Sequence, residues 1–237
     1  HVRSRRQRQM CIRDRVSMEG VVPLCRSFDT IGPIVKTVDD AGLLFSVITS
    51  NKPIDLEHKS IERGRLAILK GTALDDLQQK PALAFEASVK ALSNFGFKIK
   101  EIEIGEVESA LALSGLVYPS EAYAEWKDKI EAAPELMYGE ILQRFRGGKD
   151  VLASEYLKAM RDLEIFKKQY VAKCSEFDGI ILPTCPIMPP NLERLESDNG
   201  YYVSQNLMAL RNTRIGNLMG ICSLTIPTTY NLSLIHI

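Results

Sequence analysis

The 237 residues are 45% hydrophobic and 25% charged, and 30 basic and 30 acidic side chains balance to a formal net charge of zero. That composition belongs to a folded globular chain and excludes a disordered, collagen-like or disulfide-stapled protein, five cysteines being too few for a framework at this length. No apolar run approaches the roughly 18–20 residues of a membrane span, and the charge balance points to neither a nucleic-acid nor a membrane partner.

The zero charge conceals an asymmetry. Residues 1–15 hold six of the basic and one of the acidic side chains, so the remainder carries 24 against 29, a net charge of −5. Read at face value, this N-terminal stretch is a phosphate-binding basic arm. Residues 10–14 and 232–236, however, can be encoded by one DNA element read in opposite orientations. That element resembles the transposase end sequence used in short-read library preparation. Residues 1–15 and 232–237 are therefore expected to be translated adapter and not native protein, leaving 16–231 as an internal portion of a longer gene.

Along that portion, Thr37 with Asp40 three residues later makes a capping-box-like start. Val38, Ala41, Leu44, Phe45 and Ile48 follow at helical spacing, predicting a helix that ends near Pro53. Residues 65–70 (RLAILK) read as a buried strand. Residues 81–95 read as a helix with Leu83, Val89, Leu92 and Phe95 on one side, stopped at Gly96. Residues 97–104 alternate as a strand. Helices are expected over 106–129 and 139–145, separated by Pro134. A long amphipathic helix over 151–177 has Leu152, Tyr156, Leu163, Phe166 and Tyr170 as core positions. The run 179–183 (GIILP) suits a strand covered on both faces. Pro186, Pro189 and Pro190 then force an extended loop, a helix runs over 202–219 to Gly220, and 223–227 (SLTIP) reads as a last buried strand. Helix alternating with strand predicts an α/β fold with a mostly parallel or mixed sheet covered by helices on both faces.

The residues encode no self-sufficient catalytic group. With the ends set aside, His58 is the sole histidine, in the charged stretch DLEHKSIER, where a solvated position outweighs a catalytic one. There is no G-x-S-x-G and no Ser-x-x-Lys. Cys25, Cys174, Cys185 and Cys222 share no metal-ligand spacing and read as small buried thiols. Gly147-Gly148-Lys149 is a turn before it is a phosphate loop, and the Asp39/Asp40 and Asp75/Asp76 pairs fall at helix starts, where the macrodipole explains them.

Residues 20–33 (GVVPLCRSFDTIGP), running into Lys36-Thr37-Val38-Asp39-Asp40-Ala41, resemble the segment after the signature region of amidase-signature hydrolases, with its G-x-x-P-L, S-x-D-T-x-G-P and T-V-x-D-A elements. Cys25 and Phe28 depart from the commoner residues. Arg144 to Tyr156 resembles the family's R-x-x-x-G and A-x-x-Y elements, and 181–187 its L-x-P-T-x-P strand and loop. Residues 210–227, with Thr213, Asn217, Gly220 and Pro227, resemble its T-x-x-x-N-x-x-G-x-x-x-x-x-x-P block.

The resemblance covers nearly all of 16–231, as the second half of such an enzyme, bacterial amidase or amidotransferase A-subunit in character. It implies amide hydrolysis by a serine nucleophile relayed through a second serine in a cis peptide to a lysine, with backbone N–H groups on the oxyanion. All of these are expected upstream of the matched portion, so no catalytic residue is assigned here and the portion alone is expected to be inert. By the same resemblance Asp29 and Thr30 brace the signature loop, or else simply cap a turn. Arg211, Thr213 and Asn217 line the substrate funnel, or else satisfy helix and loop backbone, and Arg144 is a further candidate.

No cofactor or metal is implied. The partners implied are a small amide substrate, the N-terminal half of the same domain and, as an open alternative to a monomer, a second copy; a cytoplasmic location is expected. A stand-alone amidase is the favoured reading, with the glutamine-amide-hydrolysing A-subunit of a tRNA-dependent amidotransferase and a non-enzymatic α/β binding module as alternatives.

Overall fold

A computed structural model describes residues 16–52 and 64–227. His58 and the two terminal segments expected to be non-native lie outside the described residues. Helix α1 (Val38–Ile48) opens at Thr37, whose Oγ1 accepts from the Asp40 N–H at 3.1 Å, the cap its sequence anticipates. Strands β1 (Arg65–Leu69), β2 (Lys98–Ile102) and β3 (Gly179–Ile181) form a parallel sheet in the order β2-β1-β3. Arg65 pairs with Lys98 on one side, and Leu66 with Gly179 on the other. The middle strand is the most apolar one: Ala67 and Leu69 are wholly buried, whereas the Lys- and Glu-bearing β2 takes an edge.

Parallel pairing requires crossovers, and these supply most of the mass. Helix α2 (Gln79–Asn94) links β1 to β2. Helices α3 (Gly105–Ala132), α4 (Gly139–Arg146) and α5 (Ala153–Cys174) lie between β2 and β3 in the chain, and α6 (Leu192–Ser197) and α7 (Asn199–Met219) follow. The core centres on α3 packed against α5 and α7, with Val117, Leu163 and Leu218 wholly buried around Phe28 and Leu69. Burying each of these larger side chains is worth roughly 1.5–3 kcal/mol. The molecule is thus α/β as expected, but mostly helical around a small sheet.

Several expectations are corrected. Residues 223–227 form no strand, and Leu224 and Ile226 are exposed; a strand needs a backbone ladder, and Thr184, just beyond β3, meets this stretch through its hydroxyl, 3.4 Å from that of Thr225. Leu152 caps α5 from outside its first turn and is exposed, so the helix core runs through Leu163 and Tyr170. In α2 the buried positions are Pro81 and Ala84, leaving Leu83 and Phe95 outside. The loop after the prolines contains α6, capped by Asn191, and α7 begins early because the Asp198 carboxylate accepts from the Tyr201 N–H.

Pro119 sits inside α3, and the turn leaving α4 lies directly on its carbonyl: a Cβ on Gly148 would overlap the Pro119 backbone. Gly147-Gly148 is therefore a close-approach turn. Gly220, left-handed at φ +62°, closes α7.

Candidate functional site

The site is built where the D-T-x-G-P segment meets α3 and α7. Asp29 folds the segment on itself: its carboxylate accepts from the backbone N–H of Leu24 at 2.8 Å and of Cys25 at 3.0 Å. One side of α3 then holds the turn, because Tyr118, Glu121, Glu125 and Trp126 recur at helical spacing. The Cys25 thiol donates to the Tyr118 carbonyl at 3.3 Å, the Ser27 N–H to Glu121 Oε2 at 2.8 Å, and the Trp126 indole N–H to the Pro23 carbonyl at 2.8 Å. Arg26 forms a two-pronged pair with Glu125 at 2.7 and 2.8 Å; being largely solvated, it contributes orientation more than stability. The other oxygen of Glu121 accepts from the Tyr156 hydroxyl of α5 at 2.6 Å. Thr30 is exposed and outside this network.

Burial, with the nearby charges of Glu121 and Asp29, pushes the Cys25 thiol up to about 12, and burial with the bond to Glu121 pushes Tyr156 up to about 12. Both are therefore neutral at physiological pH, and Cys25 is a structural thiol, not a nucleophile.

Helix α7 closes the other side. Asn217 donates from Nδ2 to the Phe28 carbonyl at 3.0 Å and accepts at Oδ1 from the Tyr118 hydroxyl at 3.2 Å, while the Phe28 and Tyr118 rings stand 4.6 Å apart. Along the same face, Asn206 accepts from Arg144 Nη1 of α4 at 2.6 Å, and Arg214 reaches Ser114 of α3 at 3.5 Å. A polar seam thus runs along α7 from Arg144 through Arg214 to Asn217 and the Phe28–Asp29 turn. Of the residues singled out from sequence, it gathers Arg144, Asn217 and Asp29.

Arg211 points elsewhere, donating to the Asp75 carbonyl, and burial holds its guanidinium below the usual arginine range against the opposing pull of Asp76 and Asp75. Thr213 is exposed and bonds back to the Leu210 carbonyl of its own helix at 3.1 Å.

Asn212, Glu121, Tyr118 and Arg214 are structural or functional residues that sequence reasoning did not single out. Asn212 is 3% exposed, and its one amide nitrogen donates to the Ala73 carbonyl at 2.8 Å and the Pro183 carbonyl at 2.7 Å, tying the exits of β1 and β3 to α7. Its only sequence signal is an amide at a position where helical periodicity calls for an apolar side chain. Among the described residues no group of His, Cys, Asp and Glu could hold a metal ion, and no described helix is long and apolar enough to cross a membrane. Nor do the described residues bring a nucleophile together with a base; what they present is a positioned turn and a polar seam beside it.

Residues 12–233 match the family model described as Amidase, and the chain belongs to the amidase family. Among its curated relatives is a 2-amino-5-chloromuconic acid deaminase of Comamonas testosteroni, 28% identical and covering 90% of this chain and 47% of the relative. Another is the A-subunit of the glutamyl-tRNA(Gln) amidotransferase of Sulfurisphaera tokodaii, 28% identical and covering 91% and 52%. An amidase of Pseudomonas putida is 25% identical over 92% of the chain and 50% of its own length. The chain spans about half the length of the curated relatives it matches. The fold matches a crystal structure of an amidase with TM-score 0.70 at 20% identity over 87% of this chain and 47% of that one. It also matches the glutamyl-tRNA(Gln) amidotransferase A-subunit of Thermotoga maritima with TM-score 0.63 at 22% identity over 86% and 47%.

Proposed function

We propose that this chain forms the pocket wall and scaffold of an amidase that hydrolyses the C–N bond of a small carboxamide, with the serine, bridging serine and lysine of the reaction supplied by a part of the parent domain outside this sequence. The observation that carries the reading is the amidase-family match over 12–233, which takes in both the D-T-x-G-P turn and α7. In this reading the turn and the seam have distinct tasks.

Asp29, Glu121 and Asn217 hold the turn that follows the signature segment, and a rigid turn fixes where that segment's backbone donors point. In the same reading Arg144 and the seam line the substrate pocket. Arg211 and Thr213, expected to line the pocket, serve it in this reading only through structure, Arg211 by holding the Asp75 turn, and Thr30 is assigned no part. Chemistry would begin when the lysine accepts the nucleophile's proton through the bridging serine, so that the serine oxygen attacks the amide carbon and ammonia or an amine departs.

The test is ammonia release from a panel of simple carboxamides by the intact amidase domain carrying these residues. Hydrolysis of at least one amide is expected, with Asn217→Ala lowering kcat about tenfold or more through a loosened turn. An intact domain that cleaves no amide in the panel refutes the reading. A second reading, the amide-hydrolysing A-subunit of a tRNA-dependent amidotransferase, is favoured by the relatives of that name in Sulfurisphaera tokodaii and Saccharolobus solfataricus. It requires glutamine hydrolysis that rises when a partner protein is added, whereas a stand-alone amidase works without one.

A further inference from the structure

Tyr156 stands in the first turn of α5, far in the chain from the D-T-x-G-P segment, yet its hydroxyl reaches that segment by two routes. It donates to Glu121 Oε1 at 2.6 Å, and Glu121 Oε2 accepts from the Ser27 N–H at 2.8 Å. The Ser27 side chain bonds the same hydroxyl directly. Ser27, Tyr156 and Glu121 therefore close a ring of hydrogen bonds, in which each member polarises the next. Burial and the bond to Glu121 push the tyrosine up to about 12, so it stays a donor throughout the neutral range. The neighbouring residue of the turn is gripped from the opposite side, where Asn217 of α7 donates to the Phe28 carbonyl at 3.0 Å.

A carboxylate on a helix surface has several rotamers, and Glu121 can serve the Ser27 N–H only in one of them. Tyr156 selects that one by occupying the other oxygen with a charge-assisted bond. We infer that Tyr156 is a positioning residue for amide hydrolysis, acting through Glu121 and Ser27 to fix the turn that follows the signature segment. The inference rests on the amide-hydrolysis reading and adds α5 to the parts of the fold that set its geometry. Tyr156 itself does not touch the substrate in this arrangement. Its effect falls on the placement of backbone donors, where a shift of about 1 Å can cost on the order of a hundredfold in rate. Cys25 reports on the same turn: its thiol is 3% exposed and donates to the Tyr118 carbonyl, and burial pushes it up to about 12. It becomes reactive only when the turn opens.

The test uses the intact amidase domain carrying these residues and the carboxamide that it cleaves fastest. Tyr156→Phe, which keeps the ring and removes only the hydroxyl, is expected to lower kcat about tenfold while KM stays within about twofold. Glu121→Gln should do the same, and the double variant should be no slower than the worse single one, because both changes break one ring. Alkylation of Cys25 by iodoacetamide, followed by peptide mass spectrometry, should be about fivefold faster in Tyr156→Phe, with the half-buried Cys174 of α5 unchanged as an internal reference. An unchanged kcat in Tyr156→Phe overturns the positioning role. Equal acceleration at both cysteines also overturns it, since that marks a general loosening of the core. Losses that multiply in the double variant overturn the route through Glu121. A wild-type domain that cleaves no amide brings down the hydrolysis reading and the role with it, whereas an active wild type beside an equally active Tyr156→Phe variant brings down the role alone.

Discussion

A single amide decides how three distant parts of the chain meet. Asn212 spends both hydrogens of its nitrogen on the carbonyls of Ala73 and Pro183, which otherwise end buried turns without a donor. Replacing it leaves two acceptors desolvated and unpaired, which costs more than the loss of one ordinary hydrogen bond. Asn212→Ala is expected to lower stability by about 2–4 kcal/mol, read as a shift in the urea midpoint with unchanged slope. A variant within about 0.5 kcal/mol of wild type would mean that water replaces the amide.

At this scale the sequence was least informative. Asp29 is legible because its partners lie four and five residues away. Asn217 stands in a family-like block, and its bond to Phe28 agrees with a role at the turn. Arg214 and Glu121 carry no local mark at all, since what makes them notable is a contact with Ser114 on another helix in one case and with Ser27 and Tyr156 in the other. Arg211 and Thr213 show the converse: chosen for their spacing on α7, they face away from the seam.

Elements were far more readable. Caps, apolar periodicity and glycine stops are local signals, so α1, α2, α3, α5 and α7 emerge within a few residues of their bounds, and β1 is where a short apolar run closed by Gly71 puts it. The strand expected at 223–227 fails for the reason that pairing is never local: an apolar run becomes a strand only beside another. The same reasoning makes Gly148 more than a turn residue. It lets the end of α4 rest on the carbonyl of Pro119, inside α3, and any Cβ must push the two helices apart. Gly148→Ala is expected to destabilise by about 2 kcal/mol or more, beyond the small stabilisation that alanine brings at an unstrained glycine. Thermal melts of the two proteins measure it directly, and a stabilised alanine variant would show that α4 yields freely.

On the scale of the whole molecule, apolar surface is concentrated where α1 and the preceding loop stand. Val22, Leu24, Ile34, Val38, Leu43 and Val47 are all exposed, and Leu224 and Ile226 are exposed at the far end of the described chain. Apolar side chains exposed in such number along one segment are a liability for self-association. The 237-residue chain expressed alone is therefore expected to self-associate or to remain partly unfolded, judged by light scattering and a calorimetric scan. A monodisperse monomer with one sharp transition would contradict this.

The strand order β2-β1-β3 also has a temporal side. The central strand leaves the ribosome before either neighbour, gains one of them soon afterwards, and then waits while everything from residue 70 to residue 178 is polymerised before the other exists. At about 5–20 residues per second, β3 follows β1 by roughly ten seconds. Throughout that interval one flank of the most apolar strand offers its amides and carbonyls to any extended chain nearby. The nascent polypeptide thus depends, for those seconds, on whatever shields it in the cell.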